Sequence, residues 1–150
     1  METGYTMRAE ITMAYDKDRE VREAIDAGEQ ALRSLKTARE KLNSAGNWGL
    51  LDIFGGDTIS GLMKHKKIGD AERYIDDAKR DLRYFSRELG DIQGIENLNI
   101  DVGGFLTFAD FFFDGFLADV MVQSKINNAK RQVDEAIRRV ENVLGRLRTL

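Results

Sequence analysis

Apolar positions recur along this chain at helical spacing over most of its length. Val21, Ile25, Gly28, Leu32, Leu35, Arg39 and Leu42 step by four and three, the seam of a coiled-coil-like helix. Ala24, Ala31, Ala38 and Ala45 recur every seven residues on its flank, where small side chains let a neighbouring helix come close. The pattern predicts a helix from about residues 16–18 to Ala45, ended by Gly46. Ala71, Ile75, Ala78, Leu82, Phe85 and Leu89 predict a medium helix opened by Gly69-Asp70 and closed by Gly90. Ile126, Val133, Ile137, Val140, Leu144 and Leu147, with Ala129, Ala136 and Val143 beside them, predict a last long helix. Its seam mirrors that of the first, so the two are expected to pair antiparallel.

Phe105 to Ile126 breaks the two-faced pattern. It holds six of the eight Phe, and at 3.6 residues per turn these do not share one face. A helix apolar nearly all round is surrounded by protein or by lipid. Asp110, Asp114 and Asp119 interrupt it, and each carboxylate would be costly in a bilayer. The stretch therefore reads as a buried hub running on into the last helix, not as a membrane span.

Two stretches are less regular. In residues 1–15, Tyr5, Met7, Ala9, Ile11, Met13 and Tyr15 alternate with other residues, as in a half-buried strand, while Met7, Ile11 and Ala14 also fit a helix. The extended reading is preferred, because Leu98, Ile100 and Val102 alternate too and would complete a small two-stranded β ribbon. Gly46 to Asp57, GNWGLLDIFGGD, is too apolar for a solvated linker and reads as a packed loop holding Trp48, with Gly55 or Gly56 at positive φ. A short helix from Asp57 or Thr58 to about Lys64 follows it.

Composition narrows the chemistry. Without Cys there is no disulfide, thiolate zinc site or cysteine nucleophile, and the single His65 excludes any two-histidine motif. A net charge of −3 disfavours a generic nucleic-acid binder. Lys125, Arg131, Arg138, Arg139 and Arg146 form a basic stripe on the last helix that an anionic polymer or lipid surface could use. No aromatics interleave it, so a solvated face is the simpler reading. No basic start followed by an apolar block marks a signal peptide, and a cytoplasmic location is expected.

Gly46–Ala71 and Phe105–Ile126 together resemble an uncharacterised bacterial helical-bundle family. The matching positions are Asn47, Trp48, Gly49, Asp52, Gly55, Gly56, Lys64, His65, Phe108, Ala109, Asp110, Phe112, Phe113, Asp114, Gly115 and Asp119. Where that family has a third Gly this chain has Asp57, which changes the capping of the loop. The resemblance covers roughly residues 26–126 and implies a helical bundle; it implies no activity.

The candidate site is a set of polar residues in apolar surroundings. Asp110 and Asp114, four apart, share one side of the hub helix with Thr107, and Lys64, His65 and Asp52 belong to segments expected nearby. The preferred reading is a structural polar network of Lys64, His65, Asp110 and Asp114, since a buried carboxylate needs a partner. The alternative is a metal or small-ligand site with Asp110, Asp114 and Asp52 as oxygen ligands and His65 as nitrogen ligand. The Gly-rich loop lacks the phosphate-loop pattern, and Asp57 would repel an anion. No serine-histidine-aspartate arrangement can be placed.

The expected protein is thus a single mainly α domain over residues 1–150. It is an antiparallel bundle of two long, one medium and one short helix, without a cofactor. A non-enzymatic structural or interaction module is expected. The medium helix, spanning about 30 Å, is too short to cover both long seams, so a homodimer is expected to seal the remainder.

Overall fold

The structure is a computed structural model. It describes the backbone of residues 2–55, 58–112 and 123–150, and the side chains of 17–45, 69–95, 97, 99–112 and 125–150. Over these residues the chain forms α1 (Glu2–Gly55), α2 (Thr58–Gly90), a 3-10 turn (Ile95–Leu98), α3 (Val102–Phe111) and α4 (Gln123–Leu147). It is a mainly α helical bundle, and the described residues contain no strand.

Residue pairs set the register. Ser34 bonds Asp81, and Lys41 Nζ sits 5.3 Å from the Tyr74 ring centre, so α1 and α2 run antiparallel. Arg39 bonds Asp134 and Arg148 bonds Glu29 at 2.9 Å, so α1 and α4 do too. The Asp134 carboxylate holds the Arg39 guanidinium above its usual range, first by the hydrogen bond and then by charge. Both side chains stay substantially exposed, so the pair marks register more than it stabilises.

The core is apolar. Ala71, Ile75, Ala78, Leu82, Phe85 and Leu89 of α2 are all buried, as are Ile126, Ala129, Val133, Ala136, Val140, Leu144 and Leu147 of α4. On α1 the deepest positions are Ala24, Ala31, Leu35, Ala38, Leu42 and Ala45, while Val21, Ile25 and Leu32 are only partly covered. The alanine flank, with Leu35 and Leu42, faces inward in place of Val21, Ile25 and Leu32, and its methyl-sized groups let the neighbouring helices come close. Gly28 is the tightest point: a Cβ there would lie 2.7 Å from Leu144 and 2.9 Å from Phe85. The one buried polar side chain among the described residues, Ser86, donates to the Leu82 carbonyl at 2.9 Å.

Several boundaries differ from the sequence expectation. Residues 2–15 are helical, and Leu98, Ile100 and Val102 fall in or beside the 3-10 turn and the start of α3, so the proposed ribbon is replaced by helix. Met7, Ile11, Ala14, Asp18 and Val21 continue the four-three spacing of α1, and extending a formed helix is easier than nucleating a lone ribbon. Gly46 does not end α1, which runs on to Gly55, so the expected Gly-rich loop is helical as far as Gly55. Gly56 and Asp57 lie outside the described residues. The short and medium helices are one helix, α2, with Gly69 in its interior. Each interior Gly costs about 1 kcal/mol, too little by itself to end a helix.

The hub is not one continuous helix. Phe112 follows α3 with extended backbone (φ −62°, ψ 119°), and residues 113–122 lie outside the described region. α3 starts where Asp101 accepts a hydrogen bond from the Gly104 N–H at 2.9 Å, satisfying one of the free donors of its first turn. Phe105, Ala109 and Phe112 are buried, and Phe105 meets Phe85 edge to face at 5.4 Å, tying α3 to α2.

Candidate functional site

Of the polar stripe expected in the hub, Asp110 is described and is exposed. The face of α3 that packs inward carries Phe105 and Ala109, and position 110 is turned about 100° from 109. Thr107 is exposed as well, and its hydroxyl donates to the Gly103 carbonyl at 3.0 Å within the helix. An exposed carboxylate is satisfied by water and needs no buried partner. The side chains of Asp52, Lys64, His65, Trp48 and Asp114 lie outside the described residues. Among the described residues no group of three or more His, Asp or Glu is placed to hold a metal ion.

The basic stripe on α4 is bonded to its surroundings. Arg138 and Arg139 both pair with Glu135, Arg131 bonds Asn128, and Arg146 donates to the Asn99 carbonyl. Arg139 also lies over the Phe108 ring at 4.4 Å. Arg139, Asn142 and Arg146 line a shallow cleft of about 200 Å³ opposite Asp101 and Gly104. Asn99 at its edge has φ 57°, a left-handed conformation that Asn tolerates better than most residues. That conformation places the carbonyl which Arg146 holds. Cations so engaged, with the Asp101 carboxylate across from them, make a joint between α4 and the start of α3.

A second feature comes from helix lengths. The pairs Ser34–Asp81 and Glu29–Arg148 bring the ends of α2 and α4 level with about residues 25–30 of α1. Beyond that level α1 continues N-terminally to Glu2, and residues 2–20 add about 30 Å of helix. The seam continues with it through Met7, Ile11, Ala14 and Val21. Where α1 leaves the bundle there is a groove of about 680 Å³ with an apolar floor of Val21, Ile25, Leu147 and Leu150. Charged side chains, Lys17, Asp18, Arg22 and Arg148, border it. Leu150 is 56% exposed there.

The sequence held a signal for this surface, the regular spacing from Met7 to Val21. The alternation of residues 1–15 competed with it, and only the lengths of α2 and α4 show where cover stops. The shortfall expected in the medium helix is also relocated. α2 is 33 residues long and begins at Thr58, so it is longer than the medium helix expected, and it is α1 that runs past its far end.

No helix among the described residues is long and apolar enough to cross a membrane. No family model matches the chain, and neither a curated protein nor a solved structure matches it.

Proposed function

We propose that this chain is a non-enzymatic protein-interaction module that self-associates through the N-terminal part of α1. The observation that carries this reading is the continuation of α1 past the ends of both helices that pack on it. In proteins most of a helix's stability comes from packing an apolar face rather than from propensity. A partner surface supplies that burial. The setting proposed is the bacterial cytoplasm, on the resemblance of Gly46–Ala71 and Phe105–Ile126 to a bacterial helical family.

Sedimentation equilibrium of the whole chain over a concentration series tests the reading. The expected result is a species of twice 17.0 kDa that dissociates on dilution. A 17.0 kDa species at every concentration overturns self-association.

A further inference from the structure

We infer that the face of α2 carrying Arg83 and Arg87 binds an acidic helix of another protein, one that presents carboxylates four residues apart. This goes beyond self-association through α1 and uses a different surface.

The other arginines with described side chains each have a local partner. On α4, Arg138 and Arg139 are held by Glu135, Arg131 by Asn128 and Arg146 by the Asn99 carbonyl, while Arg148 reaches across to Glu29. The described arginines of α1 are bonded too, within the helix or to Asp134. On α2, Arg73 lies 3.9 Å from Asp70 and Arg80 lies 3.3 Å from Asp77. Among the described residues, only Arg83 and Arg87 have a guanidinium without an acceptor.

The two are neighbours. Four residues apart, they stand about 6 Å from each other along one face of α2. Like charges at that spacing weaken a helix slightly, so the fold gains nothing from the pair. Neither is needed for packing, because both are exposed. Asp81 faces α1, where it bonds Ser34, and positions 83 and 87 are turned about 160° and 120° from it. Asp76, Lys79, Arg80, Arg83 and Arg87 line a shallow depression of about 320 Å³ on that outer side. Tyr84, 52% exposed, comes three residues before Arg87 and adds an aromatic edge. Arginine and tyrosine are among the residues that most often carry binding energy at protein interfaces.

The chemistry of the face selects its partner. A guanidinium takes a carboxylate through two parallel N–H donors. Two of them about 6 Å apart match carboxylates at positions i and i+4 of a second helix, which has the same rise per residue. A nucleic-acid duplex, charged about every 1.7 Å of its axis, would also run past the exposed Asp76 and Asp91. The net charge of −3 opposes it further. A lipid surface needs apolar side chains to insert, and the lining of the depression has none.

The test titrates the whole chain into a fluorescent alanine-based helical peptide with glutamates four residues apart, read by anisotropy at low salt. Binding is expected, weakening as salt is raised. A peptide of the same composition with its glutamates spread around the helix should bind at least about fivefold more weakly. Arg83→Gln/Arg87→Gln, shown to be folded by circular dichroism, should weaken binding about tenfold. Arg131→Gln/Arg138→Gln removes the same charge from α4 and should change binding by less than about twofold. No binding of the first peptide, equal binding of both peptides, or equal losses in the two double variants overturns the proposal. A single-stranded oligonucleotide or phosphatidylglycerol vesicles binding more tightly through Arg83 and Arg87 would assign the face to that partner instead. If Arg83→Gln/Arg87→Gln lowers the mass found by sedimentation equilibrium, a second copy occupies the face and the proposal falls. The peptide titrations bear on α2 alone, so their failure leaves self-association through α1 standing.

Discussion

The Phe85 ring lies so close to Gly28 that a Cβ on residue 28 would come within 2.9 Å of it. The ring is itself held, with Phe105 edge-on at 5.4 Å and no exposed surface. On the other side the same Cβ would meet Leu144 at 2.7 Å, so α1, α2 and α4 all converge here. Gly28→Ala gains about 1 kcal/mol of helix propensity. Overpacking a core site costs about 1–3 kcal/mol, and the two buried neighbours have little room to retreat. Net destabilisation of about 1 kcal/mol is expected in urea unfolding. A more stable variant would show that Phe85 and Leu144 give way freely.

Phe111 and Phe112 are adjacent and opposite in environment. Phe112 is buried, 5.7 Å from the Phe108 ring, whereas Phe111 is 68% exposed. Phe112→Ala should cost about 3–5 kcal/mol, as for other buried aromatics. Phe111→Ala should stay within about 0.5 kcal/mol of the wild type. Equal losses in chemical denaturation would contradict the turn out of the helix that separates the two rings.

The start of α3 depends on Asp101 and Gly104 together. Asp101→Ala removes the cap on the Gly104 N–H and should cost about 1 kcal/mol. Gly104→Ala would set a Cβ 2.4 Å from the Asp101 carboxylate and push the cap away, so it should cost at least as much. Because both changes break one contact, the double variant should lose less than the two singles added together. Additive losses would mean that the two residues act separately.

Tyr84 titrates above its ordinary value of 10.0, chiefly because the Glu88 charge opposes ionisation and secondly because Glu88 accepts its hydrogen bond. The folded state therefore holds this proton more tightly than the unfolded chain. The resulting stability is present below the ordinary value and is lost as pH rises through the raised one. Glu88→Gln should move the Tyr84 transition down towards 10.0 in an NMR pH titration. An unchanged transition would remove Glu88 as the cause.

The spacing of residues by itself determined that the chain is helical, which faces of α2 and α4 are buried, and that α1 and α4 run antiparallel. These are local or repeating properties: Ala71, Ile75, Ala78, Leu82, Phe85 and Leu89 share a stripe on any helix that contains them, and all are buried. Tertiary structure decided where helices stop. Gly46 and Gly69 lie inside α1 and α2, while the hub breaks after Phe111 at a residue with no breaking tendency of its own. A glycine weakens a helix by only about 1 kcal/mol, so neighbouring contacts settle whether it continues. Tertiary structure also chose the alanine flank of α1 over Val21, Ile25 and Leu32, because the depth of a face depends on how near the adjoining helices come. It likewise put Asp110 in solvent and left the start of α1 beyond the ends of α2 and α4. Periodicity states which residues share a side of a helix, and only the placement of the other helices decides which side has a neighbour.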